Sequence, residues 1–143
     1  MPVQGSLLAH TTRLNDDLGV IVVRARHTMN AVEIAGAMDE LVKLPGFREG
    51  LCLVVDFRGS ATPITGDEIR YLAEYAERSD AKWGDTKWSF LTASDETYGL
   101  SRMFIAHTSE HAVTTHVFRT VKEADGWLGI GVEMDEILAR TPD

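Results

Sequence analysis

Leu51-Cys-Leu-Val-Val-Asp-Phe57 is the stretch that decides the fold. Only Asp56 interrupts its apolar run. A short run without polar alternation is what a strand requires when helices cover both faces of its sheet. On its N-terminal side, Pro45 and Gly46 end a segment of helical period. There Ala31, Ile34, Ala35, Met38, Leu41 and Val42 share one face, and Asn30 with Glu33 forms a capping box. Further upstream, Leu7–Arg13 and Gly19–Arg26 read as strands joined through Asn15-Asp16-Asp17, a hairpin.

On the C-terminal side the same grammar repeats. Thr65 to Glu68 is a capping box before a helix with Ile69, Leu72, Ala73 and Ala76 inward. Thr86–Ala93 is the next strand, and Ser94 or Asp95 caps a helix with Leu100, Met103, Phe104 and His107 on one face. Val113–Arg119 is another strand, and Thr120 to Glu123 opens a helix burying Ala124, Trp127 and Leu128. A short charged helix is expected over Glu133–Arg140. Helices alternating with apolar strands demand crossover connections. The fold class is therefore α/β: a mixed, mostly parallel sheet with an N-terminal antiparallel hairpin and helices packed on it.

The 143 residues suit one domain, taken as 1–143. Acidic residues number 22 against 14 basic ones, a formal net charge of −8, which argues against nucleic-acid or anionic-membrane binding. No apolar stretch reaches the roughly 18 residues of a membrane span, and no leader pattern is seen. The single cysteine, Cys52, sits in the apolar run and reads as a small buried hydrophobe. A reducing, cytoplasmic location is expected.

Motifs for chemistry are thin. His107-Thr-Ser-Glu110-His111 has the spacing of an inverted zinc-peptidase motif, the basis of a remote reading as a metal-dependent hydrolase. His107, however, continues an apolar helix face, and no third ligand is evident. Gly99-Leu-Ser101-Arg-Met lacks the last glycine of a nucleophile elbow and places Ser101 within a helix. Gly59 to Gly66 has Asp67 where a phosphate loop has lysine. No catalytic residue, cofactor or metal is expected. Topology supplies another candidate: loops at the carboxyl ends of parallel strands gather on one rim. That rim collects Arg58, Ser60, Thr62, Thr65, Tyr98, Arg102 and Arg119, with helix N-termini suited to an anion. The competing expectation pairs Arg102 with Asp56 or Asp95 and leaves the hydroxyls as helix caps. Trp127 is expected in the core, and Trp83 partly exposed or folded over the sheet edge.

Val54–Gly59 (VVDFRG), Tyr98–Phe104 (YGLSRMF) and Val117–Leu128 (VFRTVKEADGWL), in this order of elements, resemble the SpoIIAA-like family, part of the wider STAS group. The resemblance runs from about Leu7 to Leu128. It implies a non-catalytic module that engages a regulatory protein partner through the rim near Thr65. Kinship with CRAL-TRIO lipid-binding domains implies the alternative, a carrier of a small apolar or anionic ligand between sheet and helices. A homodimer is one candidate assembly. In the anti-sigma-factor antagonists an Asp-Ser-Ser-Gly turn carries the phosphorylated serine. Here that stretch is Pro63-Ile64-Thr65-Gly66, so the resemblance does not imply a phosphorylation switch.

Overall fold

The computed structural model describes residues 10–25, 28–60 and 63–130. In chain order the elements are β1 (His10–Asn15), β2 (Val20–Ala25), α1 (Ala31–Leu41), β3 (Cys52–Asp56), α2 (Gly66–Trp83), β4 (Thr86–Leu91), α3 (Asp95–His107), β5 (Val113–Phe118) and α4 (Val121–Leu128). The expected start of the first strand at Leu7 and the helix over Glu133–Arg140 lie outside the described residues.

Five strands form one sheet in the order β1-β2-β3-β4-β5. β1 and β2 are antiparallel, and every later pair is parallel. The hairpin turn is closed by the Leu18 N–H donating to Asn15 Oδ1 at 3.0 Å, with Gly19 at φ 68°. β3 lies at the centre, Val54 pairing with Val22 on one side and Ser89 on the other.

Because strand order follows chain order from β2 to β5, right-handed crossovers carry α1, α2 and α3 to the same face. There Ile21, Val23, Leu53, Trp88, Phe90 and Val113 meet Ala35, Leu72, Ala76, Trp83 and Phe104 in the main core. α4 packs on the opposite face, where Ala124 joins Val20, Val22, Val54 and Leu91. Each helix starts where the sequence says. Asn30 and Thr65 form full capping boxes, and Ser94 and Thr120 accept N–H bonds from the third residue of their helices.

Several expectations are corrected. Trp83 is 1% exposed, because α2 runs on for 18 residues and Trp83 stands one heptad after Ala76, on the same inward face. Phe47 and Trp88 pack edge-on against its ring. Trp127 is only half-buried; it stacks on His116, ring centroids 4.3 Å apart, and Lys87 Nζ lies over its ring. Cys52 is likewise half-buried, its Sγ accepting from the Thr86 hydroxyl. On α3 the inward residues are Thr97, Ser101 and Phe104, with Thr108 at its end, while Met103 is 41% exposed and His107 is exposed.

Candidate functional site

The carboxyl ends of β3, β4 and β5 form the expected rim. Asp56, the last residue of β3, is buried there and takes three bonds from Arg58. The Arg58 backbone N–H and Nε–H donate to Oδ1 and Nη2–H to Oδ2, each at 3.0 Å. Arg24 Nε stands 3.6 Å from Oδ2. Burial pushes the Asp56 carboxyl up in pKa, but the Arg58 hydrogen bonds and the charges of Arg58 and Arg24 outweigh it and hold it below its ordinary value. This corrects the expected partner of Asp56: Arg102 is exposed, and Arg58 and Arg24 take its place.

The other rim residues are placed as follows. Ser60 closes a turn, its N–H donating to the Phe57 carbonyl at 3.0 Å. Thr62 lies outside the described residues. Thr65 accepts the Glu68 N–H at 3.2 Å, and the Thr65 N–H donates to Glu68 Oε1 at 2.9 Å. Arg119 sits over the Tyr98 ring, 4.3 Å from its centroid, and Nη2 meets Asp95 Oδ1 at 2.9 Å. The structure therefore joins Arg119 with Tyr98, and Arg58 with Asp56. Most rim groups are thus engaged with neighbours: arginines with carboxylates, hydroxyls with helix N-termini.

A second feature lies under α1. Two adjoining apolar hollows share Ile34, Met38, Phe57 and Phe90. One extends toward α3, reaching Leu72, Leu100, Thr97 and Ser101. The other extends toward Met29, Ala37 and Val55. Mouths included, they span about 410 and 460 Å³, of which about 50 Å³ each is deep enough to seat the centre of a water molecule. No charged side chain lines either one among the described residues. α1 contributes Ile34 and Met38 to both hollows, and Ala37 and Leu41 to the second, while Ala31 and Ala35 pack into the main core. At its C-terminal half α1 is tied to α2 by the Tyr75 hydroxyl donating to the Asp39 carboxylate, a bond that pushes the Tyr75 phenol up in pKa. The sequence carries no separate signal for the cleft, since Ile34 and Met38 read equally well as the core face of α1.

The zinc-like motif is not held on one helix. α3 ends at His107, and His111 lies beyond it, its Nδ1 3.9 Å from Asp80 Oδ1. Asp80 also accepts the N–H groups of Ala112 and Val113, fixing the start of β5. Among the described residues no group of three or more His, Cys, Asp and Glu is placed to hold a metal ion.

In three dimensions the chain is similar to the crystal structure of an uncharacterised protein of the DUF3478 family from Shewanella loihica PV-4, described as having a SpoIIAA-like fold. The match covers 84% of this chain and 92% of that one, with a TM-score of 0.54 and 11% sequence identity. The fold is SpoIIAA-like. No family model matches the sequence, and no curated protein does. The likeness concerns the arrangement of the sheet and helices. Within this SpoIIAA-like frame the cleft lies on the face that carries α1, α2 and α3, whereas Asp56 and Arg24, two residues on from Val54 and Val22, lie on the face that carries α4. No helix among the described residues is long and apolar enough to cross a membrane.

Proposed function

We propose that this SpoIIAA-like chain is a non-catalytic binding module that takes up a small apolar molecule in the cleft between α1, the sheet and α3. The paired hollows carry the reading: they are contiguous through Ile34, Met38, Phe57 and Phe90, almost wholly apolar, and open to solvent. Ligand pockets are mostly apolar concavities with a few polar groups that fix orientation. The engagement of Arg58 with Asp56 and Arg119 with Asp95 supports the same choice, since it leaves less of the rim for an anion.

A second reading, docking of a regulatory protein on the rim, is favoured by Met103. This side chain is 41% exposed, and its terminal methyl lies 3.2 Å from where a Cβ on Gly66 would stand, beside Thr65. Native mass spectrometry of the protein purified without denaturation separates the two. A retained small molecule, extractable into organic solvent, supports the cleft. Protein that carries none and binds no apolar dye refutes it, and a stable complex lost in Met103→Ala supports the rim.

A further inference from the structure

We infer that the cleft takes a neutral chain molecule with one terminal hydroxyl or carbonyl group, seated against Ser101; the inference rests on the cleft reading above. Ser101 lines the hollow nearer α3 and is 6% exposed. Its hydroxyl makes no hydrogen bond among the described residues, although it keeps some accessible surface. A hydroxyl that faces a hollow without a protein partner is left to water, and a ligand's polar group can take that water's place. The other polar groups of the lining do not compete for a ligand. Thr97 is bonded to Ser94, whose hydroxyl donates to Thr97 Oγ1 at 3.0 Å. The Trp88 indole N–H is also without a partner among the described residues, but its nitrogen has no accessible surface.

The position of Ser101 sets the orientation of the ligand. From Ser101 the apolar wall continues over Phe90 and Phe57 to Met29 and Ala37, so a hydrogen-bonding head at one end leaves a chain running beneath α1. Charge sets the class. With no Lys, Arg or His in either lining among the described residues, a carboxylate or phosphate head carried to Ser101 would be buried unpaired, at a cost far above that of a neutral hydroxyl. A hydroxyl or carbonyl head instead exchanges a bond to water for one to Ser101.

Decanol, decane and decanoate, titrated at neutral pH by tryptophan fluorescence, test this, because Trp88 lines the cleft. Decanol is expected to bind at least about ten-fold more tightly than decanoate. Ser101→Ala should weaken decanol roughly five-fold and leave decane within about two-fold, the signature of one lost neutral hydrogen bond. Ser101→Cys, a near-isosteric and weaker hydrogen-bonding residue, should move decanol in the same direction. The empty Ser101→Ala protein should melt no lower than the parent, since an unpaired hydroxyl is removed from a helix. Decanoate equal to decanol, or Ser101→Ala acting alike on decanol and decane, overturns the assignment while leaving an apolar cleft. Saturable binding of none of the three overturns the cleft reading as well.

Discussion

Removing the Arg58 side chain should unmask the cost of the Asp56 carboxylate. Asp56 is 4% exposed and takes two side-chain bonds from Arg58, both 3.0 Å, besides one from its backbone. Breaking a buried pair from one side costs about 3–5 kcal/mol, because a desolvated charge is left behind. The Arg58 side chain is 37% exposed and Arg24 remains 3.6 Å away, so solvent screening and the second arginine reduce the loss to about 2–3 kcal/mol. The pH dependence has a definite sign. The folded-state pKa of Asp56 lies below its ordinary 3.8, so the unfolded chain binds the proton first. Stability from this carboxylate is fully present above 3.8 and is lost as pH falls through the lower folded value. Urea titrations of the parent, Arg58→Ala and Asp56→Asn, stepped from neutral pH to below 3.8, measure both effects. The penalty of Arg58→Ala should be largest near neutrality and shrink in acid. Arg102→Ala should change stability by less than about 0.5 kcal/mol at any pH, as for an exposed side chain. A penalty for Arg58→Ala below about 0.5 kcal/mol, or one independent of pH, refutes the pairing.

Three further outcomes are expected. Thr65→Ala should cost about 1 kcal/mol in thermal unfolding by removing the N-cap acceptor, and Thr65→Ser should restore nearly all of it. Gly84→Ala should cost about 1–3 kcal/mol, since φ 72° with ψ −160° is glycine territory and the added Cβ would meet Glu49 Cγ at 2.6 Å. Glu49→Ala should relieve only the collision, so full recovery in that double variant argues against backbone strain. Ala37→Met should fill the second hollow with a flexible apolar side chain, raising the melting temperature of the empty protein and abolishing dye uptake; unchanged uptake places the ligand elsewhere.

The fold was legible because its signals are local. The apolar run at Leu51–Phe57, the capping pairs at Asn30, Thr65 and Thr120, and the Ser94 cap mark the elements without help from tertiary contacts. The face of α3 was misread for a physical reason. Thr97 and Thr108 are buried because local bonds satisfy their hydroxyls, Ser94 Oγ to Thr97 Oγ1 and Thr108 Oγ1 to the Phe104 carbonyl. A polarity pattern counts them as outward and turns Met103 and His107 inward in their place. Strand order alone makes the ends of β3, β4 and β5 neighbours, but which guanidinium meets Asp56 depends on geometry. Arg58 reaches back two residues along its own strand exit, a pairing that spacing on α3 could not reveal.

The two candidate sites draw on opposite uses of side-chain chemistry. At the rim, charges and hydroxyls sit close enough to satisfy one another, and each such bond fixes a strand exit or a helix start: Asp56 with Arg58, Thr65 with Glu68, Asp95 with Arg119. Beneath α1 the lining is Phe57 and Phe90 on one side and Ile34 and Met38 on the other, so the space between is apolar. The hollows open to solvent, so in the empty protein the apolar side chains that line them face water. A molecule that fills them would remove that surface from water without having to open a packed core. The low polarity that would favour an apolar ligand also penalises a charged one, so the same side chains would set affinity and selectivity together.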